Sequence, residues 1–337
     1  MKKVIFRADG NSRIGLGHMY RLLALAEMLR NDFECVFVSN NPDPFILSEI
    51  EKICSDCIVI NGPVYDKHPD ELISGEEMLY DMSGILSGTE IVVIDGYLFG
   101  NKYQKAVLES GAQLVYIDDF AKAGIFADAI INHAPGIKEE AYSAPAGAKI
   151  CTGLDYAILR TPFFNSIVPS KKFLNRAFVS LGGTDSFNFT GRLVELIIES
   201  NQFKEIHVLC SSSFSPESIE RLERKALQMK MIRLHFNLGA NQLVDLLDSC
   251  SDAFVSSSTV LIEAYARGLR CFAGYYINNQ KLIYSGFVSR RMASGLGHFD
   301  HLSLAALSEG LNHKESLNVL DHSLQSINNI KALFNSL

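Results

Sequence analysis

The stretch that decides the fold is Lys3-Val-Ile-Phe-Arg-Ala-Asp-Gly-Asn-Ser-Arg-Ile-Gly-Leu-Gly-His-Met-Tyr-Arg21. An apolar run of strand length leads into a turn with three glycines, and helical periodicity then extends from about Leu16 to Arg30. A strand, a glycine-containing turn and a helix in this order are typical of the first unit of a parallel α/β sheet. Glycines let the backbone approach a ligand closely, and the start of a helix offers unpaired N–H groups.

The same alternation of strands and helices continues along the chain. After the strand at 3–7, strands are predicted in the first half at 34–38, 57–60, 91–94, 113–117 and 129–132. A segment with two prolines, 155–174, breaks the rhythm and is predicted to be a linker. Strands are then predicted at 176–181, 205–209, 232–236, 253–256 and 270–273, with helices at 188–199, 216–228, 242–248 and 259–267. The pattern predicts an α/β protein of two Rossmann-like domains, 1–160 and 175–310, whose parallel sheets face a central cleft, and a C-terminal helical segment, 311–337.

Composition excludes several classes of partner. The 337 residues carry a net charge of −7, which argues against a nucleic-acid partner because such a partner needs a dominant basic face. No run of 18 apolar residues is present, so no insertion into a membrane is expected. The seven scattered cysteines are typical of free thiols in a reducing compartment, and we expect a cytoplasmic monomer.

His18 is the candidate acid–base residue of the first domain. It falls in the first turn of the predicted helix, where a neutral imidazole can accept a proton from water. The alternative is a histidine that only satisfies a nearby backbone or carboxylate group, and position alone does not separate the two hypotheses. Asp9 and Asp95 both end predicted strands, so either can orient the imidazole.

Two turns of the second domain are suited to a diphosphate nucleotide. Gly182-Gly183-Thr184 ends a strand and leads toward the helix at Asn188, which makes it a candidate diphosphate cradle. Ser258 or Thr259 caps the start of another helix, and Glu263 lies about one turn further on. Its carboxylate can accept hydrogen bonds from both hydroxyls of a ribose, although a surface or capping glutamate fits the position as well.

Taken together, these segments resemble the PseG/SpsG family of UDP-2,4-diacetamido-2,4,6-trideoxy-β-L-altropyranose hydrolases, which shares the GT-B fold with MurG-type glycosyltransferases. The matching stretches extend from residue 3 to about 285 and are Phe6-Arg7-Ala-Asp9, Ile14-Gly15-Leu-Gly17-His18, Arg21, Val93-Ile94-Asp95-Gly-Tyr97, Ile117-Asp118-Asp119, Gly182-Gly183-Thr184-Asp185, Asn188, Ser257-Ser258-Thr259, Glu263-Ala264 and Asn279-Gln280. The chain departs from the family's Asp-His-Tyr-Gly at Asp95-Gly96-Tyr97-Leu98, which removes a second histidine from the sugar site.

The resemblance implies a function in pseudaminic acid biosynthesis. Water attacks the anomeric carbon of the UDP-sugar, His18 takes its proton, and UDP leaves with inversion. Tyr97 is implied to lie in the sugar site, and no metal or other cofactor is implied. The candidate catalytic residues are His18, Tyr97 and Asp95. The candidate substrate-binding residues are Asp9, Gly15, Gly17, Arg21, Asp118, Gly182, Gly183, Thr184, Ser258, Thr259, Glu263, Asn279 and Gln280.

Three alternatives stay open at this point. The paired carboxylates Asp118 and Asp119 can hold a metal ion, but a hydrogen-bonding or structural role is favoured because a diphosphate–metal site normally uses spaced carboxylates. A glycosyltransferase would use the same UDP site with a sugar or lipid hydroxyl in place of water. A non-catalytic UDP-sugar sensor would bind the ligand tightly without turning it over. The remaining histidines, including His133, are expected to lie at the surface or in a satisfied core.

Overall fold

The computed structural model describes residues 1–11, 15–62, 77–121, 123–165, 173–183, 185, 187–211, 214–312 and 325–337. The chain divides into two units, Met1–Thr161 with Leu324–Leu337, and Pro162–Ser323. Each unit is built around its own parallel sheet. The predicted α/β class is therefore confirmed.

The sheet of the first unit has seven strands in the order β3-β2-β1-β4-β5-β6-β7, and every neighbouring pair is parallel. Its strands are β1 (Lys3–Arg7), β2 (Glu34–Asn40), β3 (Asp56–Ile60), β4 (Ile91–Asp95), β5 (Gln113–Ile117), β6 (Ala129–Asn132) and β7 (Lys149–Thr152). The strand order reverses between β1 and β4, and ligands of open α/β sheets bind at such a switch point, beyond the carboxyl ends of the strands.

Three helices follow strands of this sheet, namely α1 (Gly17–Leu29), α2 (Pro44–Ile53) and α3 (Asn101–Glu109). Helix α1 is buried over most of its length because it packs directly against the sheet. Helix α2 begins where Asp43 accepts hydrogen bonds from the backbone N–H groups of Phe45 and Ile46, with Pro44 in the first turn, where no N–H is needed.

The sheet of the second unit has six parallel strands in the order β10-β9-β8-β11-β12-β13. Its strands are β8 (Arg176–Ser180), β9 (Glu205–Cys210), β10 (Ile232–Phe236), β11 (Asp252–Ser256), β12 (Arg270–Tyr275) and β13 (Ser294–His298). Its helices are α4 (Phe189–Glu199), α5 (Pro216–Gln228), α6 (Ala240–Ser249), α7 (Thr259–Ala266), α8 (Lys281–Ser289) and α9 (Leu304–Asn312). The order reverses between β8 and β11, so this sheet has a switch point of its own.

The C-terminal helix α10 (Ser326–Asn335) belongs to the first unit. Phe334 is fully buried and packs edge-on against Phe33, with 6.1 Å between the ring centroids. Lys331 pairs with Asp32 at 2.7 Å, and the Lys2 ammonium donates to the backbone carbonyl of Leu337. The predicted C-terminal helical segment 311–337 contains α10, and its residues 313–324 lie outside the described ranges. Within those ranges, no helix is long and apolar enough to cross a membrane.

Candidate active site

The first site lies beyond the carboxyl ends of β1, β4 and β5 and uses the first two turns of α1. Gly15 has a φ of 81°, a left-handed conformation that favours glycine, and its N–H donates to the Asn11 carbonyl to close the turn. Gly17 is the first residue of α1, so His18 lies in the first turn, as predicted. The name "His18 site" is used below for His18, Arg21, Asp95, Tyr97 and Asp119.

His18 is held by Asp95. The distance between His18 Nδ1 and Asp95 Oδ1 is 2.7 Å, and Asp9, the other strand-end candidate, makes no such contact. A carboxylate at Nδ1 favours the tautomer with the proton on Nδ1, which leaves the lone pair of a neutral imidazole on Nε2. The arrangement therefore suits Nε2 of His18 to accept a proton.

Arg21 binds two carboxylates at once. Its Nε and Nη2 donate to the oxygens of Asp95 at 2.7 Å each, and its Nη1 and Nη2 donate to those of Asp119 at 2.6 and 2.9 Å. Burial alone would raise the pKa of both carboxyl groups, but the guanidinium outweighs it and holds both pKa values below the usual range. Arg21 thus fixes the two carboxylates in their ionised form, and its predicted contact with substrate stays a prediction.

Tyr97 lies beside the imidazole of His18. Its hydroxyl donates to Asp119 Oδ2 at 3.0 Å, and its ring packs edge-on against His18 with 4.6 Å between centroids. Phe120 packs edge-on against the other side of Tyr97 at 5.2 Å. Tyr97 is thus fixed by Asp119 on one side and by aromatic contacts on the other, next to the candidate base.

Asp9 and Asp118, both predicted to bind substrate, accept hydrogen bonds from the protein in this structure. Asp9 pairs with Arg7 and accepts a hydrogen bond from the backbone N–H of Asn40, which ties the ends of β1 and β2 together. Asp118 is 3% exposed and accepts from two backbone N–H groups and two side chains, those of Phe120, Ala121, Asn132 and Tyr142. Successive residues point to opposite sides of an extended chain, so Asp119, and not Asp118, reaches the His18 site.

The second site lies beyond the carboxyl ends of β8 and β11. Gly182 has a φ of 97°, and a Cβ there would lie 3.6 Å from Ser256 Oγ and 4.0 Å from both Ser258 Oγ and the Tyr276 hydroxyl. The two serine hydroxyls are 3.1 Å apart, and the Tyr276 hydroxyl donates to the Leu181 carbonyl. The glycine turn therefore converges with hydroxyl groups of β11 and β12. The name "Gly182 site" is used below for Gly182, Ser256, Ser258, Glu263 and Tyr276.

Two helices begin near this turn, and their N-termini differ. The N-terminus of α4 is already occupied by a carboxylate, because Asp185 accepts from the backbone N–H groups of Phe189 and Thr190 at 2.7 and 3.0 Å. The protein itself thus satisfies these N–H groups of α4, and the diphosphate cradle at Gly182-Gly183-Thr184 stays a prediction. At α7 the N-cap is Ser258, whose side chain makes no capping hydrogen bond. Of the two, the N-terminus of α7 is the better anion site.

The other predicted substrate contacts of the second unit are placed as follows. Thr259 is the first residue of α7, and Glu263 is its fifth residue and largely buried. Gln280 is buried, and its side-chain carbonyl accepts from the backbone N–H of Tyr276, so it holds the turn after β12. Asn279 precedes it in the same short helix. Gly183 is exposed in the turn, and Thr184, like Ile14 in the first unit, lies outside the described residues.

Sequence reasoning missed three residues of these sites and one further buried residue, His133. Asp119 was considered only as half of a carboxylate pair, and Ser256 and Tyr276 were not considered as site residues. His133, expected at the surface or in a satisfied core, is buried at the end of β6, and its Nε2 has no hydrogen-bond partner among the described residues. The only available signal was position, since each of the four lies at or just after the carboxyl end of a parallel strand.

Comparisons with known proteins find relatives over most of this chain. The chain is 24% identical to the UDP-2,4-diacetamido-2,4,6-trideoxy-beta-L-altropyranose hydrolase of Campylobacter jejuni over 285 residues, which is 83% of this chain and 93% of the relative. It is 25% identical to the spore coat polysaccharide biosynthesis protein SpsG of Bacillus subtilis over 301 residues, or 86% of this chain and 82% of that protein. No family model matches the chain.

Among solved structures, the chain resembles that of Acinetobacter baumannii MurG, with a TM-score of 0.63 and 12% identity over the whole of both chains. This similarity confirms the GT-B-like fold predicted from the sequence. The predicted resemblance to the PseG/SpsG hydrolases is likewise confirmed by the two curated relatives.

Proposed function

We propose that this chain hydrolyses a UDP-sugar of the 2,4-diacetamido-2,4,6-trideoxy class, with His18 as the base that activates water. The observation that carries the proposal is the 2.7 Å contact between His18 Nδ1 and Asp95 Oδ1, in the first turn of a helix at the switch point of the first sheet. The similarity to the Campylobacter jejuni hydrolase supports the choice of substrate and of water as acceptor.

In the proposed mechanism, a water molecule donates a hydrogen bond to Nε2 of His18. Its oxygen attacks the anomeric carbon as the bond between that carbon and the diphosphate oxygen breaks, and the configuration inverts. The water proton moves to Nε2, and the imidazolium that forms is stabilised by the Asp95 carboxylate at Nδ1. A positioned base of this kind contributes about 10²–10⁴-fold, so the remaining acceleration has to come from orientation and from stabilising the leaving group.

The Gly182 site is proposed to hold the UDP leaving group. The N–H groups at the start of α7 and the hydroxyls of Ser256 and Ser258 can offset the negative charge that grows on the diphosphate. Glu263, one turn into α7, is proposed to accept hydrogen bonds from the ribose hydroxyls. In this proposal the first unit supplies the base, and the second unit supplies the residues that bind the leaving group.

The experiment that tests the proposal measures UDP release from a panel of UDP-sugars without any acceptor. Rapid release from a 2,4-diacetamido-2,4,6-trideoxy sugar, with inversion followed by NMR, is the expected result. UDP binding without release, followed by turnover when a sugar or lipid acceptor is added, would identify a glycosyltransferase instead. Tight binding with no turnover under either condition would identify a sensor.

Replacing Glu263 with glutamine is expected to weaken UDP binding about 10-fold or more. An amide oxygen accepts less strongly than a carboxylate oxygen, and the NH2 group of the amide donates where the second carboxylate oxygen would accept from a ribose hydroxyl. Calorimetric titration of UDP measures this, and 2′,3′-dideoxy-UDP is the matched probe, since it lacks both hydroxyls. The variant and the native protein should bind the dideoxy nucleotide equally. A normal UDP affinity in a folded Glu263→Gln variant would remove Glu263 from the ribose site.

UDP release is expected to survive EDTA within about two-fold, because the diphosphate charge is proposed to be offset by helix N–H groups and hydroxyls. The Asp118 and Asp119 carboxylates already accept several protein hydrogen bonds each. The assay is run after EDTA treatment and again after Mg²⁺ is restored. Loss of activity that Mg²⁺ reverses would instead make Asp119 a candidate metal ligand.

A further inference from the structure

His133 is a buried histidine that the mechanism above does not use. It directly follows β6, and the end of β6 is tied to the start of the Asp118–Asp119 turn by a hydrogen bond from the Asp118 N–H to the Ile131 carbonyl at 3.0 Å. The side chain is 3% exposed. Burial, together with the charge of Arg21, lowers the pKa of His133 to about 4, so the imidazole is neutral near pH 7.

The Nε2 atom of His133 is buried and has no hydrogen-bond partner among the described residues. A buried nitrogen that stays unpaired destabilises the fold, so its presence calls for a physical reason. A role in function is one such reason. The charged groups that act electrostatically on His133 are Arg21 of α1, Asp119 after β5 and Asp95 at the end of β4, all three of them in the His18 site.

Arg21 has a matching unused donor. A guanidinium carries five N–H groups. Four of those of Arg21 are committed to Asp95 and Asp119. The fifth is on Nη1, the nitrogen that bonds only Asp119, and no acceptor for it is found in the described part of the chain. Arg21 thus has an uncommitted N–H on the nitrogen that bonds Asp119, and His133 has an uncommitted Nε2, which is an acceptor when the imidazole proton is on Nδ1.

The proposed reaction changes the charge on the opposite side of Arg21. Its Nη2 lies 3.5 Å from His18 Nδ1. When Nε2 of His18 takes the water proton, the imidazole becomes a cation, and two like charges then repel each other across this short distance. A shift of the guanidinium toward Asp119 relieves the repulsion, and an acceptor on that side favours the shifted position.

We propose that His133 is a positioning residue of the reaction, whose Nε2 accepts the fifth N–H of Arg21 when His18 becomes protonated. The contact links β6 to Arg21 and its two carboxylates. It stabilises the arrangement in which Asp95 contacts a protonated His18. His133 acts through Arg21 and need not touch the substrate, so it should affect the chemical step more than substrate binding. The inference rests on the proposed function.

The test compares three proteins in the UDP-release assay: the native chain, His133→Phe, which has no acceptor, and His133→Gln, whose amide oxygen can take the place of Nε2. His133→Phe is expected to lower kcat about 10-fold or more with KM and the UDP Kd nearly unchanged, and His133→Gln to recover most of kcat. The Tm of His133→Phe should equal or exceed that of the native chain at pH 7. This difference in Tm should increase toward pH 5. An unfolded histidine takes up a proton in this range, whereas the lowered pKa of His133 keeps the buried imidazole largely neutral. The native chain therefore loses stability that His133→Phe keeps.

A folded His133→Phe variant with native kcat would overturn the inference, as would an equal loss in the Phe and Gln variants. If the phenyl ring is not accommodated, His133→Leu takes its place as the variant without an acceptor, and the comparison with His133→Gln is unchanged. Absence of UDP release by the native chain in the same assay would overturn the proposed function and this inference together. Release by the native chain with no difference among the variants would overturn the inference alone.

Discussion

Replacing His18 with alanine is expected to lower the rate of UDP release by about 100-fold or more while leaving the UDP Kd within a few-fold. The side chain is the proposed proton acceptor, and the UDP contacts are proposed to lie in the second unit. Removing the imidazole also leaves Asp95 paired with Arg21, so the buried carboxylate keeps a counter-ion and the fold should survive. Single-turnover kinetics and calorimetric titration of UDP measure the two quantities separately.

The matched control for this variant is His301→Ala, which removes an exposed histidine that follows β13 in the second unit. It should behave as the native chain in both measurements. If His18→Ala instead retained near-native turnover, His18 would be removed from the mechanism. A parallel loss of turnover and UDP affinity would point to a binding role for this histidine.

The inner strands of both sheets could be predicted because they are buried on both faces and therefore form nearly continuous apolar runs. The two edge strands that escaped prediction do not have this property. Strand β7 is four residues long and begins with a half-buried lysine, and β13 contains two glycines in five residues. Glycine is depleted in strands, so the pairing of β13 with β12 depends on tertiary contacts that a local pattern does not contain.

The location of the first site could also be predicted, but not the pairing of its side chains. Asp9 and Asp95 follow neighbouring strands, so both lie near α1, and only the structure shows that Asp95 contacts His18. The adjacent residues Asp118 and Asp119 also differ in their contacts. Asp118 accepts hydrogen bonds from Asn132 and Tyr142, whereas Asp119 accepts from Arg21. Side-chain direction at a strand end depends on the local turn, which the residue types alone do not determine.

The second site shows a different limit. The sequence contained two helix starts after glycine or serine turns, and either could serve a diphosphate. Asp185 favours the start of α7, because its carboxylate already satisfies N–H groups at the N-terminus of α4. A residue two positions after the glycine pair thus changes the role of the following helix. The pattern of a strand, Gly-Gly and a helix is compatible with both outcomes.

The His18 site depends on one buried cation. Arg21 neutralises one of the two carboxylates it contacts, so the Arg21–Asp95–Asp119 group carries a net negative charge of one unit when His18 is neutral. Protonation of His18 brings the four side chains to neutrality. The network is therefore better balanced after proton transfer than before it, which favours the proposed role of His18 as a base.

Replacing Arg21 with methionine is accordingly expected to destabilise the first unit by about 3–5 kcal/mol, because two buried carboxylates lose their shared counter-ion. In a unit of this size such a loss corresponds to a fall in Tm of roughly 6–20 °C. The native pairing depresses the pKa values of Asp95 and Asp119, so its contribution is present at pH 7 and is lost only as pH falls through those depressed values. In the variant the unpaired carboxylates should take up protons at higher pH, so the stability gap should narrow between pH 7 and pH 5. Urea unfolding of the native chain and of Arg21→Met at pH 7 and at pH 5 measures this difference in the free energy of unfolding.

Lys52→Met is the matched control, since it replaces another cation of the first unit with the same residue. Lys52 pairs with Glu49 on an exposed face of α2, and an exposed pair of this kind contributes at most about 1 kcal/mol. Arg21→Lys separates charge from geometry: a lysine keeps one positive charge but cannot bind two carboxylates bidentately, so an intermediate stability is expected. If Arg21→Met were no less stable than Lys52→Met at pH 7, the carboxylates would not depend on Arg21 for their charge. The electrostatic account of the His18 site would then be wrong, even if His18 itself proved to be essential.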